Sequence, residues 1–303
     1  MKYRIGVDIG GMSVKIGVVD SEFNLSEKLR FPTGEGCTAE YIINGIIEGC
    51  RKLMKKYPIE SIGIGSPGCV DNANGVVLGA GNLPFKNEPL AQKVSEALSL
   101  PTFVENDGSC ALIGEMAAGA CKGCHDAVII TIGTGIGGAI VMNDRLVRGA
   151  KLGAGELGHF VIDRNGEECT CGLKGCFEQY ASATALIEQT EKAIKENPDS
   201  ILAECGKDEI TGKTVFDASE RGCEVAIALL KEYGNILSDG LNSLNHIFQP
   251  EMIVISGGIA NQGKSLLALI NPHLLPGTEV ATTTLNGEGG IIGAALLGTE
   301  YSK

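Results

Sequence analysis

The sequence predicts an α/β fold built from two related halves, and three observations carry that expectation. A strand, glycine turn, strand unit occurs twice, about 125 residues apart. Around these units, short β-branched runs are interspersed with segments whose apolar residues recur at helical spacing. Glycine supplies 43 of the 303 residues, about twice the roughly 7% of an average soluble protein, so tight turns and close backbone approaches are frequent. The glycines show no three-residue period and there are only 10 prolines, which excludes collagen.

Residues 3–7 and 14–19 are β-branched runs around Gly10 and Gly11, and 25–31 follows, so the chain opens as a three-stranded meander. Residues 38–56 carry apolar side chains at helical spacing. Residues 62–65 form a buried strand ending at Pro67 and Gly68, 91–98 a helix, 102–104 a strand and 108–120 an alanine-rich helix. After 121–126 the opening pattern recurs, with an apolar run at 128–132, the turn from Gly133 to Gly138 and a second run at 139–142. Neither unit is a Rossmann fingerprint, because a strand and not a helix follows the glycines. Helices at 183–196, 214–221 and 223–248 dominate the second half. A strand at 252–256 ends at Gly257 and Gly258, and a small-residue helix spans 289–301. No low-complexity linker separates the halves. The hinge is placed near 119–123, giving a smaller domain at 1–119, with the terminal helix 289–303 packing back on it, and a larger domain at 120–288.

Hydrophobic residues at 44% and charged residues at 20% are globular values, so disorder is excluded. The net charge of −12 argues against a duplex-binding surface, which needs a basic face. The longest uncharged run, 127–143, is shorter than the roughly 20 residues of a membrane helix and is broken by glycines and threonines. The N-terminus is too polar for a signal peptide. A cytoplasmic address follows, and it makes metal binding or free thiols the expectation for the 11 cysteines.

Asp8, at the end of the first strand, stands beside a turn whose bare amides can approach phosphate oxygens, and an Asp there suits the water shell of Mg²⁺. It is also suited simply to cap a hairpin. The turns at 133–138 and 257–258 make three glycine turns at strand ends, the makings of a nucleotide cradle. There is no Walker A motif: Gly206 to Thr214 has five intervening residues where four are required. In Glu105-Asn106-Asp107, where a strand meets a helix, Asp107 suits a base for a substrate hydroxyl or a helix N-cap. His159 followed by Cys169, Cys171 and Cys176 offers one imidazole and three thiolates, a closed tetrahedral Zn²⁺ set of structural type. That metal would draw Glu156 and Glu178 together, in a pattern suited to sugar hydroxyls. Cys121-x-x-Cys124-His125 matches haem attachment, which requires an export that nothing here supports. His246 and His273 stand alone.

Taken together, Asp8-Ile-Gly-Gly, Glu105-Asn-Asp, Gly133-Thr-Gly-Ile-Gly-Gly, Glu156-x-Gly-His159, Cys169-x-Cys-Gly-x-x-Gly-Cys176-x-Glu178 and Ser256-Gly-Gly-Ile resemble the ROK family of sugar kinases and repressors, in order across essentially the whole chain. The resemblance implies an actin-like (ribonuclease H-like) two-domain fold with an interdomain active-site cleft, and a homodimer or homotetramer. It implies an ATP-dependent hexose kinase of the glucokinase branch, or an N-acetylmannosamine kinase, acting with Mg²⁺ and ATP. Asp107 would be the catalytic base, and Asn82, Asn106, Glu156, His159 and Glu178 would contact the sugar. Asp8, Gly10, Gly11, Lys15, Gly133, Thr134, Gly135, Gly137 and Gly138 would serve the nucleotide phosphates, with Gly257 and Gly258 near adenosine. His159 would serve twice, one ring nitrogen on zinc and the other toward a sugar hydroxyl. The family's repressors carry an N-terminal DNA-binding module, for which a first strand starting at residue 3 leaves no room. Two positions differ from the family pattern: Met12 stands where Thr or Ser is usual, and Phe85 follows Asn82-Leu83-Pro84 where a Trp is frequent.

Overall fold

The β-branched runs on either side of Gly10 and Gly11 pair as an antiparallel hairpin in the computed structural model, which describes residues 2–34, 36–81, 83–207 and 209–299. Asn82 and residues 300–303 of the expected terminal helix lie outside the described residues. In chain order the elements are β1 (Tyr3–Ile9), β2 (Ser13–Asp20), β3 (Leu25–Pro32), α1 (Ala39–Met54), β4 (Ile59–Ser66), β5 (Cys69–Asp71), β6 (Val76–Gly79), β7 (Lys86–Glu88), α2 (Leu90–Leu98), β8 (Thr102–Asn106) and α3 (Asp107–Ala118). They continue with β9 (Ala127–Ile132), β10 (Ile136–Met142), β11 (Arg145–Leu146), α4 (Glu178–Ala181), α5 (Ala183–Glu196), α6 (Ile201–Cys205), α7 (Thr214–Glu220), α8 (Glu224–Phe248), β12 (Met252–Gly257), α9 (Lys264–Ile270), β13 (Val280–Thr282) and α10 (Gly289–Ala295). The chain divides into two compact units: Met1–Ala127, Ala139–Ala154 and Thr284–Lys303 form one, Val128–Gly138 and Gly155–Thr283 the other.

In the first unit a five-stranded sheet runs in the order β3-β2-β1-β4-β8. The hairpins make β1, β2 and β3 antiparallel, and crossovers through α1 and α2 make β4 and β8 parallel to β1. One face of this sheet buries Ile5, Val7, Ile9, Ile16, Ile62 and Ile64 among Ile42, Ile46 and Leu53 of α1 and Leu90 and Val94 of α2. Each such side chain contributes about 1.5–3 kcal/mol when fully removed from water. Helix α1 begins at Thr38, whose hydroxyl accepts the Tyr41 N–H at 3.1 Å.

The other face is built on missing side chains. Helix α10 lies so close to the sheet that a Cβ on Gly6 would overlap the Ile291 carbonyl, and one on Gly63 the Ala294 carbonyl. Backbone cannot yield as a side chain does, so Gly63→Ala is expected to destabilise the protein by about 1–3 kcal/mol or more. Urea denaturation checks this, and an unchanged midpoint would contradict the close packing. The α-helix stops at Ala295, short of the expected 301. Leu296 and Leu297 N–H groups turn to the i−3 carbonyls of Gly293 and Ala294, and Gly298 follows at φ +79°.

A small antiparallel sheet, β5-β6-β7, is also in the first unit. Its strands have three or four residues, too short for a two-residue alternation to register in the sequence. The remaining sheet has the order β11-β10-β9-β12-β13. In the second unit α8 is the central helix: its fully buried Tyr233 donates a hydrogen bond to the Ala181 carbonyl at 2.9 Å, and a Cβ on its Gly240 would overlap the Phe177 ring. Phe177 in turn stacks on Phe160, with ring centroids 5.0 Å apart. These contacts set α4 and the segment before it, the part of the chain that holds His159, the cysteines and Glu178. Among the described residues no helix is long and apolar enough to cross a membrane.

Candidate active site

In the first unit β1, β4 and β8 end side by side, with Asp8 in register with Gly65 and Gly65 with Glu105. Lys15, opposite Asp8 on β2, pairs with its carboxylate at 3.0 Å and reaches the Gly287 carbonyl at 3.5 Å. The first glycine turn is braced: Gly10 N–H donates to the Ser13 carbonyl at 2.9 Å, and the Thr33 hydroxyl donates to the Gly10 carbonyl at 2.8 Å. Met12 projects outward, 81% exposed, while Ser13 is buried. The turn therefore presents backbone and a thioether, without a hydroxyl.

The N-cap of α3 is Asn106 and not Asp107. The Asn106 Oδ1 accepts the Ser109 N–H at 3.1 Å while its Nδ2 donates to the Gly68 carbonyl at 3.1 Å. Asp107 occupies the first helical position, its Oδ1 accepting the Gly108 N–H at 2.9 Å. Glu105, buried at 4% exposure, accepts the Asn106 N–H on one carboxylate oxygen at 2.9 Å and the Arg148 Nε–H on the other at 2.8 Å. Burial pushes the Cys110 thiol well above its ordinary value, and the charges of Glu105, Asp107 and Asp8 push it further while Arg148 opposes them.

In the second unit the other two glycine turns meet. Gly257 has φ +89°, and a Cβ there would overlap the Ile132 carbonyl at the end of β9. The turn after Ile132 is held by the Gly133 N–H on the Gly135 carbonyl and by the Ala183 N–H on the Gly133 carbonyl, both at 2.9 Å. Glu178 bonds the same turn, its Oε2 accepting the Ile136 N–H at 3.2 Å. Thr134 and Gly137 are exposed at its tip.

His159, Cys169, Cys171 and Cys176 bring one ligand atom each to within 4.8 Å of one another. Cys171 and Cys176 sulfurs are 3.5 Å apart, as are the Cys169 sulfur and His159 Nδ1. Tetrahedral zinc with thiolate and imidazole ligands sets such atoms roughly 3.5–3.8 Å apart, which these two pairs match, so the donor set suits that ion in its chemistry. Cys171 is exposed, and the Leu173 N–H lowers its thiol below the ordinary value. His159 turns Nδ1 to the sulfurs and to Glu178 Oε1 at 3.5 Å, and Nε2 to Glu156 Oε2 at 4.0 Å. None of the eleven cysteines is in a disulfide, and burial pushes Cys121 of the Cys121-x-x-Cys124 pair up to about 12, which leaves it unreactive.

The expected residues therefore assemble within each unit: Asp8, Lys15, Asn106 and Asp107 around the strand ends of the first, and Gly133 to Gly138, Gly257, Glu156, His159, Glu178 and the cysteines in the second. No local motif marks Arg148 or Thr33 as part of the site. Arg148 stands 43 positions from its carboxylate partner, beyond the reach of any local motif.

A sequence model of the ROK family matches residues 4–300. The chain is 34% identical to a glucokinase of Streptomyces coelicolor over 314 residues, covering 99% of this chain and 98% of that protein. It superposes with a TM-score of 0.82 on a ROK family glucokinase from Streptomyces griseus in complex with glucose and AMPPNP, at 34% identity and covering 97% and 98% of the two chains. A putative N-acetylmannosamine kinase from Listeria monocytogenes gives a TM-score of 0.82 at 26% identity, covering 99% and 98%.

Proposed function

The chain belongs to the ROK family and has the actin-like two-domain α/β fold of its sugar kinases, and from that premise we propose that it is an ATP-dependent hexose kinase that phosphorylates the 6-hydroxyl of glucose. The observation that carries the chemistry is the arrangement at the start of α3: Asn106 serves as the cap, and Asp107 follows it where β8 ends, with its Oδ1 accepting the Gly108 N–H. Similarity to glucokinases along nearly the full length of both chains supports the substrate.

Asp107 takes the proton of the 6-hydroxyl as that oxygen bonds the γ-phosphorus and the bond from γ-phosphorus to the bridging oxygen breaks, releasing ADP. Asn106, Glu156, His159 and Glu178 orient the sugar, and Asn82 joins them. The backbone of Gly10, Gly11 and Gly133 to Gly138, with Lys15 and Thr134, receives the phosphates, and Gly257 and Gly258 lie by adenosine. Asp8, a carboxylate beside the first turn, suits hydrated Mg²⁺, which supplies charge neutralisation at the phosphates. His159, Cys169, Cys171 and Cys176 hold a structural Zn²⁺ that supplies rigidity. With Nδ1 turned to the sulfurs, His159 presents Nε2 and Glu156 on the side away from them. The similarity to a putative N-acetylmannosamine kinase favours that sugar as the second candidate. We place the enzyme in the cytoplasm as a homodimer or homotetramer. The net charge of −12 disfavours a DNA-binding repressor.

A coupled assay of ADP release tests the proposal. Release is expected only with a hexose and Mg²⁺ both present, and release independent of sugar would make the protein an ATPase instead.

A further inference from the structure

We propose that Arg148 is a positioning residue for phosphoryl transfer: through the buried carboxylate of Glu105 it fixes the start of α3 and hence the Asp107 carboxylate. The inference rests on the kinase function proposed above and assigns a role to a residue that touches neither substrate nor nucleotide in that scheme.

A carboxylate as buried as Glu105 requires partners on both oxygens. One is the N–H of Asn106, the residue before Asp107, at 2.9 Å, and the other is the Arg148 Nε–H at 2.8 Å. The guanidinium thus anchors, through one carboxylate, the backbone that leads into the base. The contacts close into a ring. Asn106 Nδ2 holds the Gly68 carbonyl, the adjoining Cys69 thiol donates to the Leu152 carbonyl at 3.3 Å, and the Ala154 N–H returns to the Arg148 carbonyl at 3.1 Å. Arg148, Glu105, Asn106, Gly68, Cys69 and Leu152 therefore hold one another, all within the first unit. Such a ring restricts where Asp107 can stand, and a misplacement of about 1 Å at a reacting group costs on the order of 100-fold in rate. The planar guanidinium matters as well as its charge, because a flexible ammonium lacks the fixed direction of the Nε–H donor.

Steady-state kinetics of the full-length enzyme with ATP, Mg²⁺ and glucose test this in wild type, Arg148→Met and Arg148→Lys. Arg148→Met is expected to lower kcat by about 10- to 100-fold with KM for ATP and for glucose within about twofold. Arg148→Lys, which keeps the charge, is expected to fall between that variant and wild type. A role confined to folding would lower the active fraction of Arg148→Met without an intermediate Lys value, so active-site titration accompanies the kinetics. Where Arg148→Met loses its native circular dichroism, Glu105→Gln/Arg148→Met, which removes both charges, carries the same expectation. A kcat within about twofold of wild type in the folded Met variant or the double variant overturns the inference, as does a change confined to KM. An inactive wild type across a hexose panel overturns the kinase function itself, so the two failures are distinct.

Discussion

Asp107→Asn is expected to lower kcat by about 10² to 10⁴ while leaving the fold intact, because it removes a general base without removing an acceptor. The side-chain amide of Asn keeps an oxygen where Oδ1 now accepts the Gly108 N–H at 2.9 Å, and the cap of α3 on Asn106 is untouched. The lost interaction of an anion with the helix terminus is worth only about 0.3–1 kcal/mol. Stopped-time assays over a range of glucose concentrations, alongside a thermal melt, separate the two effects. KM for glucose should move far less than kcat, since the proton is taken only as the phosphoryl group transfers. Near wild-type turnover in Asp107→Asn would remove Asp107 from the chemistry.

The second large effect is expected at the cysteine knuckle. Cys171→Ser exchanges an exposed sulfur for an oxygen of similar shape, so the core around the buried Cys169 and Cys176 is unchanged and any consequence comes through the metal. One zinc per chain is expected in wild type and much less in the variant, measured by elemental analysis on gel-filtered protein. His159 then loses the anchor on Nδ1 that directs its other nitrogen beside Glu156, and Glu178 loses the fixed sulfur neighbour Cys169, 3.4 Å from its Oε1. Loss of orientation at a metal-held ligand typically costs about 10- to 100-fold, so KM for the hexose should rise by about that factor while KM for ATP moves little. Structural zinc sites also contribute to folding outright, and a lower melting temperature should accompany the loss. Demonstrably zinc-free protein with wild-type hexose affinity would contradict the knuckle's supporting role.

Much of this was legible in the chain because it is local. The β-branched runs around Gly10 and Gly133 announce two hairpins, and the spacing of His159, Cys169, Cys171 and Cys176 closes to a cluster within 4.8 Å because two tight turns, at Gly172 and Gly175, lie between the cysteines. What stayed hidden depends on residues distant in sequence. Glu105 reads as one more acidic residue until Arg148 arrives from beyond β11, and Thr33 reads as a loop residue until it braces the Gly10 turn. Asn106 and Asp107 are both good capping types, so only the backbone geometry could place the cap on Asn106. The small glycines of the sheet face have the same character: Gly6 and Gly63 are required by a helix that lies more than two hundred residues further along the chain.

The central claim, transfer of the ATP γ-phosphoryl group to the 6-hydroxyl of glucose, is tested most directly by identifying the product. Zinc-loaded protein incubated with ATP, Mg²⁺ and a panel of hexoses, analysed by mass spectrometry and by phosphorus NMR, is predicted to yield ADP and a hexose monophosphate, with glucose 6-phosphate dominant. Folded, zinc-loaded protein that forms no sugar phosphate from any hexose in the panel would contradict it.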